Sequence, residues 1–101
     1  MIEERTVWVV REIRKFDISN AVEFGQLSVI YPPTVSPLDM AAQLSIIEST
    51  VMPAARSGDL ILMAGPSIML SALVTAFARQ FQRVNVLAFD SRSKRYIERW
   101  I

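Results

Sequence analysis

The sequence predicts one α/β domain over residues 1–101, a mixed sheet of about five strands with two main helices around a parallel strand, helix, strand core over residues 59 to 90. Three observations predict it. A chain of 101 residues has room for one independently folding unit. Leu60 to Ala64 is an unbroken apolar run of strand length, as expected for a strand covered on both faces, and Val84 to Phe89 reads as another buried strand. Between them Ile68, Met69, Leu70, Leu73, Val74, Phe77 and Phe81 recur at helical intervals. A unit of that kind, about 30 residues long, must be parallel and right-handed.

The remaining elements follow in chain order. Val7 to Phe16 is rich in β-branched and aromatic residues and reads as a strand; Ala21 to Tyr31 alternates in part and reads as a second, with Asp17 to Asn20 as the turn between them. Gly25 marks a bulge or bend. The stretch Tyr31-Pro32-Pro33-Thr34-Val35-Ser36-Pro37 stops regular structure, because proline lacks the donor and fixes φ. Ser36-Pro37-Leu38-Asp39 then looks like a helix start, with Ser36 as N-cap. Met40, Leu44, Ile47, Val51 and Ala55 form one apolar stripe, and Pro53 ends or kinks that helix near Thr50 to Met52. Ser57-Gly58-Asp59 is a turn, and Arg95 to Ile101 is a final short strand, antiparallel and near an edge. Trp8 and Trp100 fall in the two outer strands, with core packing as the expected role of each.

Composition removes several chemistries. There is no histidine and no cysteine, so a Ser-His-Asp relay, a His base, a thiolate nucleophile, structural zinc and disulfides are all excluded. Half the residues, 51%, are hydrophobic, enough for a real core; chains of this size still leave about a third of their surface unburied, some of it apolar and free for a partner. The net charge of +1 hides an asymmetry: residues 1–59 carry five basic and eight acidic groups, residues 60–101 six basic and two acidic. The second part is where an anionic ligand is expected. No signal peptide is read in Met1 to Val10. Ala64 to Ala78 is shorter than the roughly 20 residues a membrane span needs and ends at Arg79, so a core helix and no membrane partner are expected. A cytoplasmic location is expected with it.

Ligands of open α/β sheets bind beyond the carboxyl ends of parallel strands. Gly65-Pro66-Ser67 stands at one such end: glycine permits a tight turn, proline opens a helix, and the N–H groups of Ser67 and Ile68 face outward at the positive end of its dipole. An ordinary helix start reads the same way, and no P-loop pattern is present. Asp90-Ser91-Arg92, with Lys94 and Arg95 behind it, leaves the next strand; the guanidinium can grip phosphate and the carboxylate can orient a ribose hydroxyl or a cation. An Asp-Arg ion pair in a turn is the plain alternative. Ser67, Ser71, Thr75 and Arg79, four apart, form a polar strip on one helix face that suits a second subunit or a ligand. Four excess charges without interleaved aromatics give little base for duplex nucleic acid as a partner.

Gly58, Leu60-Ile61-Leu62, Gly65-Pro66, the helix through Leu70 and Leu73, Val84 to Phe89 and then Asp90-x-Arg92 together resemble the small CRISPR-associated Csx-type ring nucleases. The resemblance covers residues 58–101. It implies a distant Rossmann-like, CARF-type fold that assembles as homodimers or larger homo-oligomers and binds cyclic tetra-adenylate between subunits, ending an antiviral signal by opening the ring. Asp90 and Arg92 would be the catalytic pair, and Gly65, Pro66, Ser67, Ser91 and Lys94 would join Arg92 at the ligand. Family members carry histidines late in the helix; Arg79-Gln80-Phe81-Gln82-Arg83 has none. Cleavage would then be substrate-assisted, through a ribose 2′-hydroxyl, or metal-assisted with Mn²⁺ as the candidate ion, though no residue is assigned as a metal ligand. A non-enzymatic oligomeric interaction or sensor domain is the alternative.

Overall fold

In a computed structural model that describes residues 5–11 and 19–101, five strands form one sheet in the order β2-β1-β3-β4-β5. These are β1 (Thr6–Val9), β2 (Gln26–Val29), β3 (Leu60–Leu62), β4 (Asn85–Asp90) and β5 (Arg95–Trp100). The first four are parallel neighbours, and β5 returns antiparallel to β4. Two helices, α1 (Met40–Ile46) and α2 (Ser67–Phe81), complete the α/β architecture expected from the sequence. The winding reverses between β1 and β3, the place where doubly wound sheets open a crevice at their carboxyl edge.

The first half departs from expectation. Of the run Val7 to Phe16 only the stretch to Val9 is strand, and residues 12–18 lie outside the described part. The expected second strand splits: Ser19–Phe24 winds as a 3-10 helix, and only Gln26–Val29 pairs with β1, in parallel rather than across a turn. Gly25 sets the boundary. A Cβ there would stand 2.3 Å from the carbonyl oxygen of Arg5, so only glycine lets the chain pass this close before Gln26 N–H donates to that same oxygen at 2.9 Å. A parallel pair needs a crossover, and the 3-10 helix is part of it.

The helix start also moves. Ser36 is spent on a local turn, its hydroxyl accepting from Leu38 N–H at 3.1 Å, and Asp39 caps α1 by accepting from Ala42 N–H at 3.1 Å. The last turn, Ile47–Val51, widens to π geometry ahead of Pro53, whose missing donor ends the regular pattern. Ile47 and Val51 are buried as the apolar stripe requires, but Leu44 is 43% exposed, and Gln43 is fully buried in its stead. The amide of Gln43 donates to the carbonyls of Ser36 and Pro37, fastening the proline loop onto the helix.

Strand alternation sends side chains to two unlike faces. Trp8, Val10, Ile61 and Val86 point to the helical side and pack with Tyr31, Ile47, Val51, Met69, Leu73 and Phe77. Val7, Val9, Leu60, Leu62 and Leu87 point the other way, where Ala21 and Phe24 of the 3-10 helix are their cover. At the amino ends of β1 and β3 Asp59, 3% exposed, ties the strands together: its carboxylate accepts from Trp8 Nε1 (3.0 Å), Thr6 N–H (3.1 Å) and Arg56 N–H (2.9 Å). Trp8 is core, as expected; Trp100 is 63% exposed and is not. None of the helices of the described residues is long and apolar enough to cross a membrane.

Candidate functional site

The Gly65–Ser67 turn and the Asp90–Lys94 turn both stand at the carboxyl edge of the sheet, following β3 and β4. Gly65 follows β3 with φ +120°, and a Cβ on it would lie 2.6 Å from Cγ2 of Val10 at the end of β1. The turn is therefore pressed toward the β1/β3 crevice. Pro66 is the N-cap of α2 and contributes no side-chain acceptor, so the N–H groups of the first turn, beginning with Ser67, open outward. The carbonyl of Ser67 accepts from the Ser71 hydroxyl at 2.8 Å.

The second segment builds a tight hairpin. Leu62 stands level with Leu87, so β4 runs three residues beyond β3 and carries Asp90 roughly 10 Å past it. One Asp90 oxygen accepts from the Arg92 backbone N–H (3.1 Å) and the other from the Ser93 hydroxyl (2.9 Å), while its carbonyl accepts from Lys94 N–H at 2.8 Å. Lys94 takes a left-handed conformation, φ 59°, to close the turn. These bonds hold the Asp90 carboxyl below the usual carboxylate range, led by the one from Arg92 N–H. The alternative of an Asp-Arg ion pair is replaced by a backbone cap, and the exposed Arg92 has no ion-pair partner among the described residues. Ser91 is exposed in the same turn.

Two hollows flank this edge. One, of about 520 Å³, lies between the 3-10 helix and the hairpin and is lined by Asn20, Glu23, Phe24, Lys94, Arg95 and Tyr96. Of the residues put forward as ligand-binding, Lys94 alone reaches it. The other, of about 500 Å³, is a groove between the two helices: Met40, Leu44, Ile47 and Met52 on the α1 side face Ile68, Ala72 and Ala76 of α2. Ser71, Thr75 and Arg79 of the polar strip line the same groove, and Glu48 stands on the opposite wall. Periodicity found the strip; it gave no sign of Glu48, whose position depends on how α1 packs. No group of three or more acidic residues among the described residues could hold a metal ion, so the donor set that Mn²⁺ would need is not offered there.

Residues 5–101 match the family described as Phage Pam3 gp32-like protein, and the chain belongs to it. No curated protein and no solved structure matches the chain. This family overturns the resemblance to CRISPR ring nucleases, and with it cyclic tetra-adenylate binding, ring opening and a place in antiviral defence; the family match lends no support to the non-enzymatic oligomeric interaction or sensor domain weighed beside them either. The pieces that carried the resemblance are explained by the fold. Gly-Pro is what a strand-to-helix turn against Val10 requires, and Asp-x-Arg is a carboxylate capping its own hairpin.

Proposed function

We propose that this member of a phage family works as a self-associating subunit, two copies joining through the groove between α1 and α2 in the cytoplasm of the infected cell. One observation carries the reading: the groove has an apolar floor, an acid on one wall and a base on the other. Neither Glu48 nor Arg79 has an ion-pair partner among the described residues. A two-fold axis through such a groove sets Glu48 of each copy against Arg79 of its partner, the self-complementarity that an isologous interface requires. Ala72, Ala76, Ser71 and Thr75 are small, so two α2 helices can approach closely, and half-exposed Leu44 and Ile68 would be buried. Absence of cysteine is compatible with a reducing compartment.

Sedimentation equilibrium tests it. The chain is expected to be dimeric at tens of micromolar, Arg79→Glu to weaken association about tenfold or more, and the double swap Glu48→Arg with Arg79→Glu to restore it. A monomer at all concentrations, or a double swap as weak as the single, refutes the groove as the interface.

A further inference from the structure

The opposite face of the sheet offers a different surface. The 3-10 helix covers the inner strands there and reaches the start of β5, where Tyr96 packs into the same cluster, but Phe89 of β4 and Trp100 at the end of β5 stay exposed. On this side the register brings Phe89 opposite Tyr96, Leu87 opposite Glu98 and Asn85 opposite Trp100. Phe89 is 50% exposed and meets Tyr96 edge to face at 5.2 Å; Trp100 is 63% exposed, with the Arg83 guanidinium 5.0 Å over its ring. Lys94 and Glu23 line the hollow beside Tyr96, and Arg92 is exposed in the same hairpin. The acid on this face between the two aromatic ends, Glu98, is already neutralised: both its oxygens accept from Arg5, at 3.1 and 2.6 Å.

We infer that this face binds single-stranded nucleic acid, its bases stacking on Phe89 and Trp100 and its phosphates held by Arg83, Arg92 and Lys94. Exposed aromatic rings alone would suit many apolar partners. Rings at both ends of a face flanked by Arg83, Arg92 and Lys94, with Glu23 the acid in the hollow beside Lys94, suit a polyanion carrying flat aromatic groups, and single strands display those groups where duplexes hide them in the stack. Tyr96 and Trp100 lie four residues apart on one strand, roughly 13 Å, so more than one base is contacted. The sequence hid this arrangement because the aromatics come from two strands and the cations from two separate turns. The surface is on the other side of the sheet from the helical groove, so it stands or falls independently of dimerisation.

Fluorescence anisotropy with a labelled oligothymidylate of about 15 nucleotides at about 50 mM salt tests it. Micromolar or tighter binding is expected, falling with salt, and weaker for the duplex of the same length. Phe89→Ala and Trp100→Ala should each weaken it about tenfold, and Phe89→Tyr should retain it, since stacking needs the ring. Binding should also quench Trp100 emission in the wild type, a change absent from Trp100→Phe; Trp8, buried, cannot supply it. Thermal unfolding of each variant, unchanged for these exposed positions, separates lost binding from lost fold. No binding at low salt, equal affinity for duplex and single strand, or full affinity in Phe89→Ala and Trp100→Ala overturns the inference.

Discussion

The two faces of the sheet are built from the same strands yet differ in what covers them. On the helical side, two helices bury Trp8, Ile61, Val86 and their neighbours, and even a tyrosine and a glutamine are taken fully inside. On the other side one short 3-10 helix covers the inner strands, and β4 and β5 keep rings in water with a salt bridge laid between them. Alternation alone fixes which residue goes to which face; the crossovers fix whether that face is dry. The helical side is therefore the drier of the two, and the other side leaves more aromatic surface in water.

Three measurements break or sharpen that contrast. The largest is between two phenylalanines. Phe77, 2% exposed under α2, should cost about 4 kcal/mol on change to alanine, whereas Phe89→Ala should cost under about 0.5 kcal/mol in the same urea titration. Comparable costs would mean that both faces are core.

Next is the buried phenol on the helical side. Tyr31 is 1% exposed, its hydroxyl has no hydrogen-bond partner among the described residues, and burial pushes its pKa from 10.0 up to about 12. The folded state thus holds its proton more tightly than the unfolded state. Its contribution is complete below pH 10 and is lost as pH rises from there to about 12. Tyr31→Phe should remove that alkaline loss and raise stability at pH 7 by about 1 kcal/mol, because an unpaired polar group leaves the core. A drop in stability would show that the hydroxyl is bonded.

The smallest effect lies on the open side, where the Arg5 guanidinium holds Glu98 below the ordinary carboxylate range. A depressed acid stabilises the fold above its unfolded pKa, and the gain fades as pH falls through the folded value. Both side chains are 32% exposed, so Glu98→Gln should cost under about 1 kcal/mol at neutral pH and less at acid pH. An equal cost at both pH values would mean that packing, not charge, joins Arg5 to β5.

Residues 59 to 90 were legible because each element there announces itself locally. Leu60 to Leu62 is dry on both faces, and α2 repeats its apolar positions over four turns. The first half was not, for two physical reasons. Ala21 to Phe24 has the composition of a strand, but the chain is bent away from pairing by a contact between Gly25 and Arg5, twenty residues apart. Asp59 looked like a turn residue, since nothing in its neighbours reveals that its partners are Thr6 and Trp8. At the candidate site, the sequence placed Gly65 and Asp90 at one edge of the sheet through the parallel core. It could not show that Asp90 is occupied by its own hairpin, or that the exposed aromatics gather on the far face.

The strand order carries one more consequence, for the chain as it is made. β1 lies between β2 and β3, and its register with β3 joins Val7 to Leu60 and Trp8 to Ile61, pairs more than fifty residues apart. A nascent chain that has finished β1, β2 and α1 still presents an unpaired, apolar flank of β1 until Leu60 to Leu62 emerge from the ribosome. During that interval synthesis itself leaves an open edge that another nascent copy can fill. The β4–β5 hairpin, closed by four turn residues, forms last and locally, so the slow step of folding belongs to the middle of the sheet rather than to its rim.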